Sequence, residues 1–147
     1  MGDILVSKAL DIAEYIINKC TIESYPISNL QLQKIMYYIQ SDSLRDSESG
    51  LIEENFEAWQ FGPVIPVVYY KYCGFGGMKI RISCEKELNI SQDNLNRMNK
   101  IIEEKRILNP WELVEDTHKQ DKAWYEIYKD GAGEHQVIPK SLIRARG

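Results

Sequence analysis

A mainly α-helical domain with small β additions is what this sequence predicts: one compact helical unit over residues 1–147 with one or two short strand pairs. Three features carry that expectation. Apolar side chains recur at helical spacing around residues 4–20, 32–39 and 95–102. Several of these runs open on capping residues. One stretch, 56–70, is dense in aromatic and branched residues and is broken by two prolines, which reads as strand, corner and helix.

Taken in order, the first helix carries Ile4, Leu5, Ala9, Ile12, Ala13, Ile16, Ile17 and Cys20 on one broad apolar face, with Asp3 as N-cap. Thr21–Ile27 is a loop broken by Pro26. The second helix has the strongest start signal. Ser28 caps it, Gln31 three residues on completes a capping box, and Ile27 can staple to Leu32. Leu32, Ile35, Met36 and Ile39 form its inward stripe, Tyr37 and Tyr38 flank it, and the helix fades by Asp46. Residues 56–61 are extended. Gly62-Pro63 then makes a rigid turn, and a helix from Pro66 ends at Gly74. Gly74–Gly77 is read as a mobile loop and 79–83 as an edge strand. Ser91 caps a helix to Arg106. Asn109-Pro110 opens a short helix carrying Trp111, Leu113 and Val114 and ending near His118. Asp121 caps another through Trp124 and Tyr128, residues 136–138 form a short strand, and Pro139 opens a last helix.

Composition narrows the function. A chain of 147 residues can bury about 70% of its extended surface, enough for a core without staples. The net charge is -4, with acidic and basic residues interspersed, which argues against direct nucleic-acid binding. Cys20, Cys73 and Cys84 are an odd set with no C-x-x-C pair, so free thiols in the cytoplasm, of its own cell or a host, are expected. No window approaches the ~20 apolar residues of a membrane span. No metal and no cofactor is expected, because Cys73, Cys84, His118 and His135 match no zinc spacing. Gly74-Phe75-Gly76-Gly77 lacks the Lys-Ser/Thr ending of a phosphate loop. His118, at the end of a helix, reads as a dipole partner or capping donor. A catalytic reading would pair it with Cys73 or a serine, and no nucleophile elbow accompanies it. The aromatics Trp59, Phe61, Tyr69, Tyr70, Trp111 and Trp124 are core by default, with one or two reaching the surface. Lys100, Glu103, Glu104, Lys105 and Arg106 read as a solvated helix face with ion pairs along the helix.

Four groups of these residues together resemble a known family. They are Leu32-Gln33-Lys34-Ile35-Met36-Tyr37-Tyr38; the run Phe56-Glu57-Ala58-Trp59-Gln60-Phe61-Gly62-Pro63-Val64-Ile65-Pro66 with Tyr69; Leu113 with Thr117-His118 and Trp124; and Gln136-Val137-Ile138-Pro139 with Leu142-Ile143. The chain resembles the Panacea antitoxin domain, also described as SocA-like or phage-associated GepA-like, over almost its whole length. Phe61 stands where tyrosine is common, and a glycine-rich segment follows Tyr72-Cys73.

The resemblance implies a helical domain acting as an antitoxin, often carried by prophages, that neutralises a protein toxin encoded by a neighbouring gene through direct binding. Related proteins instead act as adaptors that deliver a partner to a protease. Some members carry a DNA-binding helix-turn-helix domain, for which this chain has no room. The partner-binding patch is expected to be formed or braced by Trp59, Phe61, Gly62, Pro63, Val64, Tyr69, His118 and Trp124. The reading is of a binder with no catalytic residues; its rivals are a proteolytic adaptor and a small hydrolase using His118.

Overall fold

The computed structural model of the protein describes residues 6–147. Among them are seven α-helices: α1 Ala9–Ile22, α2 Asn29–Leu44, α3 Pro66–Tyr72, α4 Gln92–Lys105, α5 Pro110–Thr117, α6 Ala123–Tyr128 and α7 Lys140–Arg146. Three short strands accompany them: β1 Phe56–Trp59, β2 Gly62–Val64 and β3 Val137–Ile138. They form one antiparallel sheet in the order β2-β1-β3. The protein is therefore mainly α with a small β addition.

The centre of the fold is α2. Helices α1, α3, α4, α5 and α7 and strand β2 all pack around it. Ser28 and Gln31 form the expected capping box, with Ser28 Oγ accepting from Gln31 N at 3.3 Å and Gln31 Oε1 accepting from Ser28 N at 3.0 Å. The expected single inward stripe falls short of what is seen. Twelve of the 16 residues of α2 are buried, including Gln31, Gln33, Lys34 and Gln40. These polar side chains are not solvated. They hold irregular backbone around the helix, whose N–H and C=O groups need partners once buried. Gln40 shows the pattern: its Oε1 accepts from Leu51 N and Ile52 N at 3.0 and 2.9 Å, and its Nε2 donates to Ile52 O at 3.0 Å.

That tethered loop sets the start of α1. Ser7 bridges to Ile52, with Ser7 N donating to Leu51 O at 2.7 Å and Glu53 N to Ser7 O at 2.9 Å. The Glu54 carboxylate then accepts from Ala9 N at 2.8 Å and serves as a cap from 45 positions away. The helix thus begins at Ala9 after Lys8; the expected cap Asp3, with Ile4 and Leu5, lies outside the described residues. The buried face of α1 is the expected one, Ala9, Ile12, Ala13, Ile16, Ile17 and Cys20.

The corner after β1 differs from expectation. The tight turn is Gln60-Phe61, and Gly62-Pro63 belongs to β2, which folds back on β1 with Trp59 opposite Gly62 and Ala58 opposite Pro63. Proline is tolerated there because Ala58 directs its own N–H and C=O away from β2, toward Gln136 O and His135 N. The Ala58–Pro63 pair therefore needs no hydrogen bond from the proline nitrogen. Ile65 then leads into α3 with Pro66 at its first position, as expected, and α3 tightens into a 3-10 turn at Cys73–Phe75.

Three further expectations are corrected. The strand over 79–83 reduces to one bridge between Ile80 and Ile27. Its backbone is met by α1 side chains instead, with Ile82 N donating to Thr21 Oγ1 and Cys84 N to Asn18 Oδ1. Helix α6 starts after Lys122, whose backbone is extended, so Asp121 is not its cap. The charged face of α4 pairs with other elements: Glu103 with Lys19 at 3.0 Å, Arg106 with Glu23 at 2.7 Å, and Lys105 with the face of Tyr38 at 4.2 Å. Ser91 and Asn109 cap α4 and α5 as expected, and the three cysteines are free.

Candidate functional site

The hairpin tip, α3 and the start of α5 meet around a cleft of about 460 Å³. Trp59, Phe61, Val64 and Tyr69 line it, joined by Trp111 from α5 and by Gly76 and Gly77 after the 3-10 turn. The rings are in mutual contact. Trp59 lies 5.0 Å from Tyr69 and 6.1 Å from Tyr70 between centroids, and Phe61 meets Trp111 edge-on at 5.5 Å. More of this aromatic surface is open than the one or two residues expected. Phe61 is 46% exposed, Trp111 57% and Tyr70 62%, while Trp59 and Tyr69 are half-buried. The Trp111 ring faces outward because its helix buries Leu113, Val114 and Thr117 instead.

Buried polar side chains hold this face in place. Asn29 Nδ2 donates to Tyr69 O at 3.1 Å, Gln33 Nε2 donates to Asn29 Oδ1 at 3.0 Å, and Gln33 Oε1 accepts from Ile65 N at 3.0 Å. Behind the hairpin, Lys34 is fully buried and its Nζ donates to Pro63 O at 3.2 Å. Burial pulls its pKa down to about 7, since an enclosed ammonium loses its hydration. Gly62 sits directly over this amine at φ +117°; a Cβ there would stand 2.6 Å from Lys34 Cε and 3.1 Å from Thr117 Oγ1. Lys34 stood in the Leu-Gln-Lys run of the sequence without an assigned role. Its only signal was a lysine amid Leu32, Ile35 and Met36.

His118 and Trp124 lie behind the face. Trp124 is 6% exposed, stacks on His118 at 3.6 Å and on Tyr128 at 4.6 Å, and donates its indole N–H to Trp59 O at 2.7 Å. His118 caps α5 through its backbone N–H, which donates to Val114 O and Glu115 O. Its side chain is not the cationic dipole partner expected. Burial, and secondly the nearby Lys34 charge, hold its pKa at about 4, so the ring is neutral. Its Nε2 is buried without a hydrogen-bond partner. Cys73 Sγ, the companion of the catalytic reading, donates to Tyr70 O. No cluster of three or more metal-ligating side chains occurs among the described residues, and no helix among them is long and apolar enough to cross a membrane.

Of the eight residues singled out by sequence, then, Trp59, Phe61, Val64 and Tyr69 line the cleft. Gly62 and Pro63 are buried in the hairpin behind it, and His118 and Trp124 form a stacked pair tied to Trp59. Trp111 and Tyr70 complete the exposed aromatic face.

A family model described as "Antitoxin SocA-like, Panacea domain" matches residues 32–125, more than half of the chain. The chain belongs to the SocA-like Panacea family. The matched span runs from α2 to α6 and so includes the hairpin, α3, α5 and the Trp124 brace. Antitoxin SocA of Caulobacter vibrioides (strain NA1000 / CB15N) is 45% identical over 58 residues, a stretch covering 40% of this chain and 31% of that relative. The chain thus matches about a third of the length of this SocA relative. No solved structure matches the chain.

Proposed function

We propose that the protein neutralises a protein toxin, encoded by a neighbouring gene, by binding it directly in the cytoplasm through the aromatic face around the cleft. The observation that carries this reading is the combination of exposure and bracing. Phe61, Trp111 and Tyr70 stand open to solvent, around a hairpin held from behind by Gln33, Lys34 and Trp124. Large aromatic side chains on a rigid support dominate binding energy at protein interfaces. Trp59, Phe61, Val64 and Tyr69 act as contact residues, and Gly62, Pro63, His118 and Trp124 as their support. The reading treats residues 1–147 as one Panacea unit, since α1 and α7, outside the family match, also pack on α2, and it assigns the protein no turnover.

Co-expression with the neighbouring gene's product tests it. The folded protein should restore growth, and Phe61→Ser and Trp111→Ser, both at exposed positions, should each weaken binding by ~2 kcal/mol or more without unfolding the chain. A folded, intact protein that never restores growth against that product overturns the reading. The toxin's half-life separates the modes: it stays unchanged under occlusion and shortens under delivery to a protease.

A further inference from the structure

Four aromatic side chains, Trp59, Phe61, Tyr69 and Trp111, line the cleft, together with a single charged side chain, Glu134. Glu134 is exposed and forms no ion pair among the described residues. The neighbouring Glu57 carboxylate is occupied, accepting the Trp59 indole N–H at 3.0 Å. Of the three amides in the wall, Asn29 and Gln33 are committed to Tyr69 O and Ile65 N, and the third, Gln60, is exposed. The cleft therefore offers an incoming group a set of aromatic rings, one carboxylate without an ion pair and the Gln60 amide. The aromatic π-systems and the carboxylate favour a cation.

We propose that this cleft receives a basic side chain, arginine before lysine, presented by the partner protein. The proposal rests on the reading of the protein as a direct binder of a toxin and names the chemistry of the contact. A guanidinium is planar, stacks on aromatic rings, is more weakly hydrated than an ammonium, and forms paired hydrogen bonds with a carboxylate. A volume of about 460 Å³ falls within the size range of side-chain and small-ligand pockets. The net charge of -4 speeds encounter with a basic partner.

The test is titration of the full chain with Nα-acetyl-arginine amide, following the indole N–H resonances of Trp59 and Trp111 with Trp124 as the internal reference. The lysine and leucine amides run in parallel. The expected result is saturable shifts at Trp59 and Trp111 with arginine, a weaker response to lysine, and none that saturates with leucine. Glu134→Gln, an exposed turn position, should weaken arginine binding at least about fivefold while leaving the far-ultraviolet circular dichroism unchanged. Equal responses to arginine and leucine, arginine binding indifferent to Glu134→Gln, or no saturable response overturns the proposal. Growth rescue by the unaltered protein is scored alongside. Rescue without an arginine response sinks the cleft chemistry alone; an arginine response without rescue supports the cleft and sinks the toxin reading.

Discussion

Lys34 keeps its amine in a closed site with the Pro63 carbonyl as acceptor, and that makes stability depend on pH. Its folded pKa is about 7 against an ordinary 10.5. Between those values the unfolded chain binds a proton that the folded chain does not, so stability rises with pH across the window. His118, at about 4 against 6.5, acts with the same sign at lower pH. Tyr37 and Tyr38 act oppositely: burial pushes their hydroxyls upward, the unfolded chain loses their protons first, and stability falls above about pH 10. The urea midpoint should therefore be higher at about pH 9.5 than at pH 7.5, and Lys34→Met should remove most of that difference. An unchanged difference in Lys34→Met would mean that other groups carry it. Gly62→Ala should cost ~2 kcal/mol or more, because the alanine must hold φ near +117° and its methyl meets Lys34 and Thr117; chemical denaturation reads this directly. Glycine and proline at 62 and 63 were visible as special positions in the sequence. The amine beneath them was not, because Lys34 and Pro63 meet only through the tertiary fold, 29 positions apart.

At the level of elements, periodicity located the helices well and failed on what surrounds them. The capping signatures at Ser28, Ser91 and Asn109 held because they are made by residues within one turn of each other. Asp121 failed for lack of such a local partner, and α1 is capped by Glu54, which no local pattern could reveal. The all-round burial of α2 was hidden for a related reason. Its Gln33 and Gln40 look like solvent-facing residues until the loops they hold are in place. Gln40→Leu should cost ~3 kcal/mol, since it leaves Ile52 N and Ile52 O without their partner in a buried loop and Leu51 N with Ser43 Oγ alone. Hydrogen exchange should then quicken at Leu51 and Ile52 and, through the Ser7–Ile52 bridge, at the start of α1. Loss of stability with exchange at α1 unaltered would break that link between loop and helix.

For the whole molecule, the exposed aromatic face and the body that supports it are distinct, and mutation should separate them. Phe61→Ser and Trp111→Ser should leave the unfolding free energy within about 0.5 kcal/mol of the unaltered protein. Trp124→Ser should cost ~3 kcal/mol or more, since it removes a buried ring and the donor to Trp59 O. Equal losses in all three would merge face and support. Sequence reasoning named Trp59, Phe61, Val64 and Tyr69 of this face and left out Tyr70 on α3. It missed Trp111 because the aromatic was counted toward the core of its helix, and it had no means of bringing Glu134 beside Trp59. The order of assembly follows from where those parts lie along the chain. The outer neighbour of β1 is β3, the brace on Trp59 comes from Trp124, and the carboxylate of the cleft is Glu134. A ribosome that stalls before residue 138 releases a polypeptide with a bare strand edge, and one that stalls before residue 124 releases a hairpin without its brace. Truncated copies thereby lack the brace or the sheet edge behind the aromatic face, which is complete only late in translation.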